Sequence, residues 1–409
     1  MINPSTNQRE LAYIVTIDEI RAIENYDRIE HARVGGWWIV VRKDQFKVGD
    51  FAIYIEIDSK VPVTPAFEFL EKKHYAVKTQ KFCKGQAISQ GLLMSPEDFG
   101  WKVDKEIIWD DESNVLVKGS FVTEKLGITY YEPEDNTRKA NPEDKYKKMA
   151  QRRPKLFKTR FARWMMKREW GKKVMFFFFG KKKDKNATSF PTHFPYIKKT
   201  DQERVENMAW VLEDKTPYIK TQKCDGSSGT FILERKGKKK FEFYVCSRNV
   251  RQLTPEQKCF YDDNYYWNIA LKYNIEMVLR DLMIKHPEWK YCCLQGEICA
   301  PGIQKNPHGL TQIRFNAFHF TDSEIGRWDI REMKKMCEKY NIPVVPIVDE
   351  NYILPNDIET LKLDAEYFYA PECCEGKETQ KAEGYVYYKT TDPNFSFKNV
   401  SREYLLKNS

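Results

Sequence analysis

From residue 10 to 125 the chain alternates short apolar runs with turn signals, a pattern that predicts strands. Leu11–Ile17, Trp37–Val41 and Phe51–Ile57 are three such runs, with turns at Gly35-Gly36 and Gly49-Asp50. Lys81 to Gln86 leads into Ser89 to Met94, a further strand pair. Strands this short and close predict a small barrel. The pattern leaves two uses open: binding nucleic acid, or supporting a neighbouring domain.

The pattern changes after residue 126. Glu132 to Asn136 is polar and reads as loop. Phe157, Phe161, Trp164 and Met165 fall at helical spacing on one face. Beyond residue 190 helices and strands mix. Thr200, with Glu203 three residues on, predicts a helix start. Thr230–Arg235 and Phe241–Cys246 form a hairpin pattern turning at Lys236-Gly237-Lys238. Trp267, Leu271, Ile275, Val278 and Leu282 predict one helix, and Ile330, Met333, Cys337 and Tyr340 another. Tyr291–Leu294, Ile313–Phe320, Glu383–Lys389 and Phe395–Lys398 read as strands. The fold class is therefore α+β.

Composition narrows the reading. At 409 residues the chain is long enough for two or three domains. Its net charge of +9 favours an anionic partner. The charge is local, because residues 145 to 185 hold seventeen Lys or Arg against Glu169 and Asp184. Aromatics interleave with those cations, which suits phosphate contacts and base stacking; Lys167, Arg168, Lys172 and Lys173 are the candidate nucleic-acid contacts. An anionic membrane surface or a solvated connector would also accommodate such a segment. The longest apolar run, Val174 to Phe179, is far too short to span a bilayer. The ten cysteines show no zinc spacing and no secretory context, so buried, reduced thiols in a soluble intracellular protein are expected.

The candidate chemistry centres on Thr221 to Phe231, where Lys223-Cys224-Asp225-Gly226 stands. A lysine amine can attack the α-phosphorus of a nucleotide, but only when neutral, against an ordinary pKa near ~10.4. An acid two residues on can hold a metal beside the phosphate, and the glycine lets the backbone approach closely. The tetrapeptide alone is equally a solvated turn. It gains weight from five residues further along the chain, in this order: Arg248, Glu297, Phe318, Glu383 and Lys398, mostly at strand ends.

With Ser247-Arg248-Asn249, Gln295-Gly296-Glu297, Phe315–Phe320, Glu383-Gly384-Tyr385-Val386 and Phe397-Lys398, this region resembles the adenylyltransferase domain of the ATP-dependent ligase and RNA-capping superfamily. Only eleven residues follow Lys398, too few for a C-terminal OB domain. The β-rich stretch comes first instead. Gly36-Trp37, Phe46 to Asp50, Glu56 to Ser59 and Ser89 to Leu93 resemble the N-terminal OB module of RNA ligases of the Deinococcus and Naegleria type. Leu294 to Gln304 fits the same branch. The implied organisation is an OB-type β-barrel over residues 1–130, a basic connector over 131–189, and an adenylyltransferase domain of antiparallel sheets with flanking helices over 190–409.

The resemblance implies an ATP-dependent RNA ligase that joins 3′-hydroxyl and 5′-phosphate ends, with a nicked duplex among its candidate substrates, as a monomer. Lys223 would carry AMP. Asp225, Glu297 and Glu383 would hold Mg2+ or Mn2+ through its waters. Gln222, Arg248, Glu297, Phe318 and Lys398 would complete the nucleotide site, with Phe315 the alternative stacking residue. Two positions depart from the family pattern. Val400 stands where many relatives have a second lysine, for which Lys389 is the candidate substitute, and Gln222 stands where an acid often precedes the nucleophile. Two other readings are a non-catalytic RNA-binding protein with a ligase-like domain and a GTP-dependent capping enzyme.

Overall fold

The computed structural model describes residues 1, 3, 9–131, 159, 162, 164, 165, 168, 171, 174, 175, 190, 191, 196, 197, 202–237, 240–248, 250–252, 264–369 and 381–407. They belong to two compact units, one of residues 1–130 with 189–409 and a smaller one of 131–188. No helix among the described residues is long and apolar enough to cross a membrane.

The first unit begins with β1 (Ala12–Thr16), β2 (Glu19–Ile23), β3 (Tyr26–Val34), β4 (Trp37–Arg42) and β5 (Phe51–Ile55). It continues with β6 (Thr79–Phe82), β7 (Ala87–Gln90) and β8 (Leu92–Met94). Sheet orders are β1-β5-β8 and β2-β3-β4, with β6-β7 a hairpin. The unbroken apolar runs of β1 and β5 follow from burial on both faces. Ile14, Ile53 and Ile55 join one core cluster, while Tyr13, Val15, Ala52 and Tyr54 join a second. Gly91 has φ +111°, and a Cβ there would meet the Tyr54 ring at 2.4 Å.

The remainder of this unit is built on two sheets. Its strands are β9 (Glu203–Arg204), β10 (Tyr218–Gln222), β11 (Ser227–Arg235), β12 (Phe241–Ser247), β13 (Tyr291–Cys299), β14 (Arg314–Asp322), β15 (Ile347–Tyr352), β16 (Gly384–Lys389) and β17 (Asp392–Val400). One sheet orders β12-β11-β13-β14 between short edge strands, all antiparallel. The other orders β9-β17-β16-β10-β15, with only the β9–β17 pair parallel. Helices α1 (Tyr265–Lys272), α2 (Ile275–Lys285) and α3 (Ile330–Lys339) share a core with both sheets, which joins Leu279, Met283, Phe231, Phe320, Ile219 and Tyr388. Helices α4 (Ile358–Asp364) and α5 (Arg402–Lys407) complete the element order.

Three expectations need correction. Thr200 lies outside the described residues, but where its helix was expected to continue Glu203 and Arg204 form β9, followed by short 3-10 turns. Arg204 there pairs with Asp58 at 2.9 Å, and buried Glu206 pairs with buried Lys362 at 2.6 Å, so tertiary ion pairs override the capping signal. The single helix through Trp267 and Leu282 breaks at Asn274, which adopts φ +49°, and Leu271 is 62% exposed. In the smaller unit Met165 is buried but its neighbour Trp164 is exposed, with the Arg168 guanidinium 4.0 Å from its ring. Phe157, Phe161, Lys167, Lys172 and Lys173 lie outside the described residues.

The β-rich N-terminal part meets the two-sheet part through polar contacts. Glu56, fully buried, accepts from Asn207 Nδ2 at 2.7 Å and from Arg9 at 2.9 Å. Trp37 Nε1 donates to Asn207 Oδ1 at 2.6 Å. Gly36 passes so close that a Cβ would meet Glu206 Cα at 2.6 Å.

Candidate active site

Lys223 follows the last residue of β10, and its backbone N–H donates to Gly384 O at 2.8 Å, next to β16. Its Nζ lies 2.7 Å from Glu383 Oε1. The close approach depends on Gly384, whose φ is +138° and whose Cβ would meet Asn399 O at 2.1 Å. On the other sheet Ser228 pairs with Glu297, which brings the turn at Asp225-Gly226 beside β13. A Cβ at Gly226 would meet Ile298 O at 2.5 Å, so the turn needs glycine for space. Lys223, Asp225, Glu297 and Glu383 thus converge from two sheets.

Their charges act on one another. Burial pulls the Lys223 ammonium down, but Glu383, Glu297 and Asp225 together raise it above its ordinary range. Burial, then Glu383, push the Asp225 carboxyl up towards neutrality, against the hydrogen bond from Tyr404 and the charges of Lys223 and Lys407. Burial raises Glu297 to about 8; Lys223 opposes it, and Glu383 and Asp225 add to it. One ammonium faces three acids in a poorly solvated place, which favours the protonated forms of Asp225 and Glu297, and a divalent cation would let them ionise. Among the described residues no three such groups are placed to ligate a metal directly. An oxygen-only set of this kind suits an ion that keeps its waters.

The other nucleotide candidates lie on strands of the same two sheets or just beyond one. Gln222 is buried at the end of β10, and its backbone N–H donates to Pro346 O at 2.9 Å. Phe318 sits in a β-bulge: Gln295 pairs with His319 and Gly296 with Ala317, so Phe318 has no cross-strand partner and stays half-buried. Phe315, the alternative, is fully buried, with its ring 5.3 Å from that of Phe231 and its edge filling the space that a Cβ at Gly296 would occupy. It is core. Lys398 is half-buried on β17 opposite Val386. Arg248 is exposed just beyond the end of β12, where its charge is felt by Tyr130.

Lys389 is not the missing second cation. Its Nζ binds Asp214 at 2.6 Å, at the opposite end of β16 from Glu383, about 17 Å along the strand. The Val400 side chain is buried, and its carbonyl accepts from Lys362 at 2.5 Å.

Sequence reasoning missed three residues here. Tyr404 on α5 hydrogen-bonds Asp225. Tyr369 receives the Glu383 backbone N–H at 3.2 Å. His308, to which sequence reading gave no role, has Nε2 3.1 Å from Asp225 O and its ring 4.2 Å from that of Tyr369. Burial lowers the His308 imidazole to about 4, so it is neutral here. No local motif marks a tyrosine that reaches its acid from 179 residues away; only the fold does.

Comparison with known proteins gives the same architecture. A family model for an OB-fold domain matches residues 11–96, and a model for RNA ligase matches residues 216–401. The fold is similar to that of a Naegleria gruberi RNA ligase variant solved with ATP and manganese, with 25% identity, TM-score 0.71, and 97% of this chain and 98% of that chain covered. A second variant of that ligase, with AMP and manganese, gives 25% identity and TM-score 0.70 over 97% and 98% of the two chains. The Naegleria gruberi RNA ligase with pyrophosphate gives 26% identity and TM-score 0.68 at the same coverage. No curated protein matches in sequence.

Proposed function

Starting from a chain that is an RNA ligase with an N-terminal OB-fold domain, we propose that it uses ATP to join an RNA 3′-hydroxyl to a 5′-phosphate through AMP carried on Lys223. The observation that carries this reading is the convergence of Lys223 with Asp225, Glu297 and Glu383 from two sheets.

The reaction comprises three in-line displacements. Lys223 Nζ attacks the α-phosphorus of ATP, forming a phosphoramide bond and releasing pyrophosphate. The RNA 5′-phosphate oxygen then attacks the same phosphorus and frees the lysine. Last, the 3′-hydroxyl attacks the 5′-phosphorus, forming the phosphodiester and releasing AMP. Lys223 must lose its proton before the first step, and Glu383 at 2.7 Å is within reach to take it. Asp225, Glu297 and Glu383 would hold a magnesium or manganese ion, through its waters, which would offset charge on the phosphates. Lys398 would meet the α-phosphate and Arg248 the ribose or a phosphate. Gln222 would contact the base, and Phe318, left off the ladder by its bulge, would stack on it. Residues 1–130, 131–189 and 190–409 would act as OB domain, basic connector and adenylyltransferase domain of a monomer, with Lys167, Arg168, Lys172 and Lys173 on RNA.

The test is incubation with α-labelled ATP and a divalent ion, and separately with labelled GTP, followed by denaturation. Label from ATP on the wild type and none on Lys223→Ala supports the assignment. Label from GTP alone overturns ATP as the co-substrate. No label on folded protein free of bound AMP overturns catalysis.

A further inference from the structure

A cleft of about 590 Å³ lies between β6 and α5. One wall is β6, with Thr79 and Lys81; the other is α5, with Glu403, Leu406 and Lys407, and Lys381 also lines it. The volume lies within the usual range of ligand sites, about 300–1,000 Å³. Three lysines reach it from three separate stretches of chain. Among the described residues of the lining the one acid, Glu403, pairs with Lys381 at 3.2 Å, so that described lining is net positive. Thr79 is 3% exposed, and its hydroxyl has no hydrogen-bond partner among the described residues. A buried hydroxyl without a partner is costly unless something that enters the cleft satisfies it.

The cleft adjoins the catalytic acids. Tyr404, one residue from the Glu403 lining, hydrogen-bonds Asp225, and the charge of Lys407 acts on the same carboxylate. Helix α5 thus forms a wall of the cleft and also carries a donor to Asp225, while β6 lies in the stretch that the OB-fold model matches.

We propose that this cleft binds the phosphodiester backbone of an RNA strand being joined, with Lys81 and Lys407 each neutralising a phosphate and Thr79 supplying a hydroxyl to one of them. The inference rests on the RNA ligase reading and adds where on the molecule the substrate backbone lies. Phosphate chemistry alone would also admit the triphosphate of ATP. The lining favours the RNA: Lys81 and Lys407 are exposed, which suits contacts formed by displacing counterions along a strand rather than an enclosed triphosphate pocket.

The test uses the full chain, a 5′-phosphorylated single-stranded RNA oligonucleotide and the variants Lys81→Glu and Lys81→Arg. Lys81 is exposed on a hairpin strand, so both variants should fold, which their melting temperatures check. RNA affinity is measured at several salt concentrations, and the ATP concentration needed for labelling is measured in parallel. Lys81→Glu is expected to weaken RNA binding roughly three- to tenfold at low salt and to flatten the salt slope by about 0.7, with Lys81→Arg close to wild type. Identical binding by wild type and Lys81→Glu at every salt concentration overturns the proposal. So does a raised ATP requirement with RNA binding intact, which would give the cleft to the nucleotide. A wild type that takes no label overturns the ligase reading instead, and the RNA titration then still decides the cleft.

Discussion

The Tyr404 hydroxyl hydrogen-bonds the Asp225 carboxylate, although the two residues stand on a C-terminal helix and on the turn after a strand far earlier in the chain. A buried acid pressed by Glu383 gains from such a donor both in charge and in direction. Tyr404→Phe should leave the fold intact and raise the magnesium concentration needed for half-maximal labelling of Lys223 about tenfold, a typical loss for a supporting partner of a metal acid. A magnesium titration of labelling, beside a melting curve, checks this. An unshifted titration would remove Tyr404 from the site.

Glu383 has two parts in the proposed chemistry: it lies 2.7 Å from the Lys223 amine, and it belongs to the acidic group proposed to hold the metal. Glu383→Gln should slow labelling on the order of 100-fold. Chelation of divalent ions should stop labelling in both proteins. A rate within twofold of wild type would leave the carboxylate without a catalytic part.

Glu56 predicts how the protein responds to acid. Burial alone would raise its carboxyl, but the amino terminus and Arg9 hold it at about 2, below its ordinary value of 4.5. A carboxyl depressed in the folded state contributes stability that is complete above the unfolded value and is lost as pH falls towards 2. The contribution is on the order of 3 kcal/mol. Melting temperature should therefore fall between pH 5 and pH 2 more steeply in wild type than in Glu56→Gln, which starts lower. Parallel curves would show that the ion pair contributes nothing.

Lys362 and Glu206 form an ion pair in which both side chains are buried. Lys362→Met strands the Glu206 charge and should cost about 3–5 kcal/mol. Adding Glu206→Leu should recover much of that loss, since no charge then remains buried. Denaturant unfolding of the single and double variants checks it; a double variant no better than the single would place the cost in packing.

The basic segment makes a separate prediction. Replacing Lys167, Arg168, Lys172 and Lys173 by alanine should weaken RNA binding and reduce the salt slope by about 3. Unchanged binding across salt concentrations would leave this segment out of the interface.

Much of this was legible in the sequence because local chemistry dictated it. Lys223 to Gly226, the hairpin of β11 and β12, and the acids at strand ends derive from residue type and spacing. The apolar runs of β1, β4 and β5 announced themselves because both faces of β1 and β5 are buried. β2 and β3 did not: the alternation Glu19-Ile20-Arg21-Ala22 is only four residues long, and the polar pairs Asp27-Arg28 and Glu30-His31 interrupt it in β3. The bulge at Phe318 was equally invisible: it depends on how β14 registers against β13, which a single strand cannot state. Tyr404, Tyr369 and His308 acquire their positions from contacts across the fold, and nothing in their neighbours foretells them.

Asn207 accepts from Trp37 while donating to Glu56, and Leu405 of α5 packs against the core of the OB-fold domain. The two domains are thus not interchangeable cassettes. An attempt to shorten this protein to a minimal adenylylating fragment would strip Asn207 of Tyr13, Trp37 and Glu56, keeping Glu203, and leave the helix bearing Tyr404 without its seat. Grafting a foreign barrel would do the same unless it brought its own tryptophan and glutamate. The two domains therefore have to be engineered together.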